Sequence, residues 1–180
     1  MKTPQTFYGL AAEVLAANKK GDGTHRVLKL AYAGSPLVLK CYGRTRSRLE
    51  SFMKLFGVRL IVGKTSTSAR GRYGTEHSVL ELWSREKFNV PKVLTADFTA
   101  GIPQPCLAME WIPGLTLAEV VRSPEISRDR KKSLIARCAL DMYQRHNRAV
   151  AAREPRLIFE HPSLHHVIVT EERLTYIDFE

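Results

Sequence analysis

Apolar and polar positions change period several times along the chain, and each change marks an element. Between Thr6 and Ala17, Leu10, Val14 and Leu15 recur at helical spacing, and Lys19-Lys20-Gly21-Asp22-Gly23 ends the run, so a helix is expected there. From Arg26 to Tyr32 the pattern alternates, with Val27, Lys29 and Ala31 set against Leu28, Leu30 and Tyr32. The turn Ala33-Gly34-Ser35-Pro36 and the run Leu37-Val38-Leu39-Lys40-Cys41-Tyr42 follow, and together these predict a β-hairpin. Leu49, Phe52, Met53, Phe56 and Leu60 then recur at intervals of three and four, which predicts an amphipathic helix from Arg48 to Leu60. The small, polar stretch from Lys64 to Gly74 reads as a loop. Thr75 reads as the cap of a helix that carries Val79, Leu80, Leu82 and Trp83 and stops before Asn89-Val90-Pro91.

Two further strands are expected, Val93-Leu94-Thr95-Ala96 and Cys106-Leu107-Ala108-Met109-Glu110-Trp111, on either side of a turn at Ala100-Gly101-Ile102-Pro103. Pro113-Gly114 breaks the chain, which places a boundary between residues 1–112 and 113–180. Beyond it, Ile135, Cys138, Ala139 and Met142 form one face of a long helix from about Ser127 to Ala149. A second hairpin closes the sequence: Val167-Ile168-Val169, the charged turn Thr170-Glu171-Glu172-Arg173, and Leu174-Thr175-Tyr176-Ile177 leading into Asp178-Phe179-Glu180. Strands and helices in this order make the fold class α+β in two lobes.

The composition, 180 residues with 44% apolar and 26% charged, is that of a globular protein rather than a disordered one. The three cysteines, Cys41, Cys106 and Cys138, are widely spaced and include no C-x-x-C pair, which points away from a disulfide framework or a cysteine zinc site and towards a reducing compartment. The N-terminus lacks the apolar stretch of a signal peptide, and no run approaches the ~18 apolar residues of a membrane span, so a cytoplasmic location is expected. A formal charge of +10 favours anionic partners: nucleotide phosphates, nucleic acid or an anionic membrane surface. Much of that charge lies between residues 44 and 74, where Arg44, Arg46, Arg48, Lys54, Arg59, Lys64, Arg70 and Arg72 face only Glu50.

Four short motifs share one order with the protein-kinase superfamily. Leu37-Val38-Leu39-Lys40 resembles its Val-Ala-Ile-Lys strand, and Glu76-His77-Ser78-Val79-Leu80-Glu81-Leu82-Trp83 is similar to its C-helix, with Glu81 as the competing carboxylate. Met109-Glu110-Trp111-Ile112-Pro113-Gly114 looks like the hinge, and Tyr176-Ile177-Asp178-Phe179-Glu180 looks like the Asp-Phe-Gly element with glutamate in place of glycine, as in a bacterial lipopolysaccharide-kinase-like branch.

The resemblance implies a two-lobed protein-kinase-like fold, with residues 1–112 as an N-lobe carrying a basic insertion at 44–74 and residues 113–180 as an incomplete C-lobe. It also implies ATP-dependent phosphoryl transfer to a hydroxyl of an envelope sugar, of lipopolysaccharide or of a protein. Lys40 would hold the ATP phosphates, Glu76 would orient Lys40, and Glu110 and Trp111 would meet the adenine. Asp178 would bind Mg²⁺ or Mn²⁺. Counting back from the last hairpin puts His166 in the slot of the second metal ligand and His161 in that of the catalytic base, with Ser163 fitting only after a two-residue deletion.

Imidazole can accept a proton from a hydroxyl, whereas as a ligand it suits softer ions than Mg²⁺. His161, His165, His166 and Asp178 also raise the idea of a transition-metal site, and Gly21-Asp22-Gly23 that of a reduced phosphate-covering loop. The partners expected on this reading are a nucleotide, an anionic inner-membrane surface or envelope glycolipid, and a chain that completes the C-lobe. The alternatives are a catalytically inactive pseudokinase or kinase fragment acting as a nucleotide- or partner-binding module and, third, a basic nucleic-acid-binding protein. Specific nucleic-acid recognition is not expected, since no helix-turn-helix or aromatic stacking platform accompanies the basic run.

Overall fold

The computed structural model describes residues 5–17, 26–43, 68–158, 163–171 and 173–178. The expected helix at 48–60, the glycine turn at 21–23 and His161 lie outside the described residues. The chain divides into two compact units, Met1–His77 with Lys92–Trp111, and Ser78–Pro91 with Ile112–Phe179. An antiparallel sheet comes first and helices follow, so the class is α+β.

The sheet of the first unit runs β1 (Gln5–Phe7), β2 (Leu10–Ala17), β3 (Arg26–Tyr32), β4 (Ser35–Cys41), β5 (Cys106–Glu110), each paired antiparallel with the next. The expected helix from Thr6 to Ala17 is therefore a hairpin. Its turn, Tyr8-Gly9, has φ of 48° and 80°, the two positive values that match the twist of paired strands, and Gly9 adopts this region without a Cβ penalty. The alanines carry helix propensity, but edge pairing with β3, which sets Ala12 opposite Leu30, overrides it. The hairpin β3–β4 forms as predicted, with Tyr32 opposite Ser35.

Alternation along β3 and β4 sends Leu28, Leu30, Leu37, Leu39 and Cys41 into one core with Ala96, Ile102 and Ala108. Val27, Lys29, Val38 and Lys40 fall on the opposite face. The strand expected over Val93–Ala96 shrinks to a single bridge between Val93 and Met109. The Ala96 carbonyl is captured by the amide and hydroxyl of Thr99, and the chain enters a 3-10 turn, Asp97–Gly101.

Helix α1 spans Ala69–Arg85 and begins earlier than the predicted cap at Thr75. Ser68 is the effective cap, its Oγ accepting the Gly71 N–H at 3.0 Å. Gly71 and Gly74, which suggested a loop, are tolerated inside the helix.

In the second unit, β6 (Leu115–Thr116), β7 (Val167–Val169) and β8 (Leu174–Tyr176) form a small antiparallel sheet. Helix α2 (Leu117–Arg122) starts from a capping box between Thr116 and Glu119. Helix α3 (Arg128–Ala152) is capped by Ser127. The break at Gly114 has a steric cause, since a Cβ there would collide with the Val169 carbonyl and lie 2.9 Å from Ile168 Cγ2.

The buried stripe of α3 is Leu134, Cys138, Arg145 and Ala149, whereas Ile135 and Ala139 face solvent. Of the predicted face, Cys138 and Met142 do pack in the core, while Leu134 and Arg145 are buried in place of Ile135 and Ala139. With Val79, Leu82, Trp83, Leu117, Val167, Leu174 and Tyr176 this stripe makes the second core. Among the described residues no helix is long and apolar enough to cross a membrane.

Candidate functional site

Lys40 stands on β4 with its backbone fixed on both sides, opposite Val27 on β3 and Leu107 on β5. Its ammonium Nζ lies 2.7 Å from Glu76 Oε2, and the two side chains are only 6% and 2% exposed. Glu76 reaches it from the first half of α1, where the neighbours of the carboxylate are buried rather than solvated. Glu81, the competing candidate, is exposed.

Tyr42 completes the arrangement and was missed by the sequence reading. Its hydroxyl donates to the same Glu76 Oε2 at 2.5 Å, and Lys40 Nζ sits 5.6 Å from its ring centroid. Arg72, one helical turn before Glu76, donates to the Gly43 carbonyl and lies 5.9 Å from the Tyr42 ring. Tyr73 packs edge-on against that ring at 5.9 Å. The strand period could have found Tyr42, because a residue two positions after Lys40 must share its face.

On this face Lys40 has the apolar Val27, Leu107, Val38 and Met109 as neighbours by register, with Lys29 beyond them opposite Val38. A cation held at the end of an apolar strip is a chemistry suited to a base with attached phosphates. The predicted hinge residues are adjacent. The Glu110 N–H donates to the Lys92 carbonyl at 2.9 Å, and the Glu110 carboxylate accepts from the Lys92 N–H at 3.3 Å. Trp111 lies under the Lys29 ammonium, 4.2 Å from the ring centroid. The Glu110 amide is thus committed to the protein's own backbone.

In the second unit the hairpin β7–β8 brings His166 and Asp178 together. Val167 pairs with Tyr176, and the Ile177 N–H donates to the His166 carbonyl at 2.9 Å on the next rung. His166 Nε2 is 3.4 Å from Asp178 Oδ2, with side chains 27% and 38% exposed. Asp178 has φ of 67°, a left-handed conformation that aspartate visits more readily than most residues and that often marks a functional corner. His165, by contrast, is exposed, its amide donating to Ser163 Oγ at 3.3 Å.

Whether these residues suit Mg²⁺ and ATP can be judged from the donors. A Mg²⁺ ion uses one or two carboxylates and completes its shell with phosphates and water, so Asp178 fits as a ligand. The imidazole of His166 fits a softer ion such as Mn²⁺ better. Among the described residues no group of three His, Cys, Asp or Glu side chains gathers to hold a metal, which leaves the transition-metal cluster without support there.

Arg145, in the same unit, is buried against the faces of Tyr176 at 3.5 Å and Trp83 at 4.8 Å, a cation–π cage rather than an ion pair. Burial pulls its pKa down from the ordinary arginine value, opposed by Tyr176 and Asp141. Burial likewise pushes the Tyr176 phenol up.

No protein-family model matches the chain, and no curated protein matches it. Among solved structures it is similar to vaccinia related kinase 3, at 12% identity and a TM-score of 0.40, over 95% of this chain and 48% of that one. The chain thus spans about half the length of that structure.

Proposed function

We propose that the chain is an atypical kinase-like phosphotransferase that binds ATP with a divalent cation and transfers a phosphoryl group to a hydroxyl, on an envelope sugar, lipopolysaccharide or a protein. The observation that carries this reading is the Lys40–Glu76 pair, 2.7 Å apart and almost wholly buried. Taking two charges out of water costs several kcal/mol per ion, and their mutual attraction rarely yields a net gain in stability. A pair retained on those terms makes sense as a functional device, in which the carboxylate fixes the direction of an ammonium meant for phosphate. Val27, Leu107, Val38 and Met109 support the reading as apolar surface for the base, and Asp178, in the other unit, would be the oxygen ligand that the resemblance implies for the cation.

The position of His166 favours a second reading, a pseudokinase that binds nucleotide without transfer. It places a nitrogen 3.4 Å from Asp178, where an oxygen donor would serve Mg²⁺ better.

Both readings meet the same test. ATP or ADP with Mg²⁺ or Mn²⁺ should stabilise the native chain by about 2.7 kcal/mol at a hundredfold excess over the dissociation constant. Lys40→Met should remove that response. A melting temperature unmoved by millimolar nucleotide with either ion would end both.

A further inference from the structure

Strands β4 and β5 set Cys41 directly opposite Cys106. On the next rung the Tyr42 N–H donates to the Pro105 carbonyl at 2.9 Å. Rungs of an antiparallel ladder alternate between hydrogen-bonded and non-bonded pairs, so the two cysteines occupy a non-bonded rung. There facing Cα atoms are closest, about 4.5 Å apart, within the roughly 4.4–6.8 Å that a disulfide spans. The Sγ atoms are 2.9 Å apart, the Cys106 thiol donating to Cys41, and both cysteines are free.

The surroundings favour reaction. Cys41 is fully buried, but Cys106 is partly open to solvent, which gives a reagent one sulfur to reach. Arg26 is the partner of Cys41 on its other side, on β3. The hydrogen bond from Cys106, with lesser help from Gln104 and the Arg26 charge, draws the Cys41 thiol below its ordinary pKa against the effect of burial, while the same hydrogen bond and burial push the Cys106 thiol up, so the first proton lost is that of Cys41. The pair therefore shares one proton more readily than an isolated thiol would lose its own.

We propose that Cys41 and Cys106 form a redox modification site, a dithiol that closes to a cross-strand disulfide by exchange with a glutathione-type disulfide and reopens on reduction. The pair first releases one proton to solvent. The remaining proton moves to Cys41 as Cys106 Sγ attacks one sulfur of the reagent, forming a mixed disulfide and expelling a glutathione thiolate. That thiolate takes the Cys41 proton, and Cys41 Sγ then attacks Cys106 Sγ and expels the second thiolate, which is protonated by solvent. One disulfide bond is broken and one is made, two electrons pass from the protein to the reagent, and two glutathione thiols leave. The inference stands independently of nucleotide binding.

The test is to incubate the native chain with glutathione disulfide, alkylate the remaining thiols in denaturant, and map the peptides by mass. The expected result is loss of two of the three alkylatable thiols, a Cys41–Cys106 linked peptide, and full labelling of Cys138, which is buried in the other unit. Excess reduced glutathione should restore all three. In Cys41→Ser the reaction should halt at a glutathione adduct on Cys106. A native chain that accumulates that adduct, links only between molecules, or keeps all three thiols would overturn the proposal. Because the mapping uses the unaltered protein, it decides the matter even where the serine variant fails to fold.

Discussion

Two of the ion pairs among the described residues, Lys40–Glu76 in the first unit and His166–Asp178 in the second, are built from opposite materials. The first joins a strand whose neighbours are paired on both sides to a helix laid against it, and its side chains are 6% and 2% exposed. The second sits one rung beyond a hairpin of three-residue strands, with side chains 27% and 38% exposed. A buried pair cannot form unless sheet and helix form together, so losing one member should register in folding. A half-exposed pair is screened by water, and its loss should register mainly in what it binds.

The contrast breaks first at Glu76. Glu76→Ala leaves the Lys40 ammonium buried without its carboxylate, and denaturant titration should show a loss of about 3–5 kcal/mol. Tyr42→Phe removes one hydrogen bond to a charged group and should cost about 1.5–3 kcal/mol. Lys40→Met combined with Glu76→Leu should recover most of the stability while abolishing any nucleotide response, because apolar side chains of similar volume replace a buried pair at little cost. If Glu76→Ala loses under about 1 kcal/mol, the pair is solvated in solution and the distinction between the two sites collapses.

Arg145 sharpens the comparison, because it is a buried cation held by aromatic faces and its Nη1 has no hydrogen-bond partner among the described residues. Arg145→Met should therefore stay within about 1 kcal/mol of the native chain, as the flexible thioether fills the space beside Tyr176 and Trp83. The same replacement at Lys40 alone, which strands Glu76, should be several-fold more damaging.

The ease of reading each region from sequence follows the same divide. Alternation placed β3 and β4, and the spacing of Val79, Leu80, Leu82 and Trp83 placed the buried face of α1, since in both cases side-chain pattern and burial coincide. The β1–β2 hairpin was misread because Leu10, Val14 and Leu15 mimic a helix, and only the Tyr8-Gly9 turn and pairing to β3 reveal the strand. On α3 the pattern found Cys138 and Met142 but not Arg145, since a charged residue gives no apolar signal at a core position. Lys40 and Glu76 were legible as a motif, whereas Tyr42 emerges only once the strand's two faces are assigned. Asp178 and His166 were named from their order in the chain. Their closeness depends on the register of β7 and β8, which three-residue strands do not announce.

At the exposed pair, His166→Asn should change stability by less than about 0.5 kcal/mol. Its effect belongs to the metal: nucleotide-dependent stabilisation should favour Mn²⁺ over Mg²⁺ in the native chain and lose that preference in the variant, since an amide oxygen suits the harder ion. An unchanged ion preference would remove His166 from the proposed metal site.

The smallest effect expected is electrostatic and lies wholly at the surface. Glu154 accepts two side-chain hydrogen bonds from Arg156, at 2.9 and 2.7 Å, and the Arg156 amide as well, and these hold its pKa down at about 2 from an ordinary 4.5. Because the folded value is the lower one, the unfolded chain binds more protons between these limits. The contribution of Glu154 is therefore fully present above about pH 4.5 and is lost as pH falls towards 2. Trp83 reports on this corner, since its indole N–H donates to the Arg156 carbonyl at 2.8 Å. Denaturant melts of the native chain and Glu154→Gln, followed by indole fluorescence at several pH values, should differ slightly at neutral pH and converge near pH 2. A difference that persists undiminished at pH 2 would mean that the Glu154 side chain acts through its fit as a cap rather than through its charge.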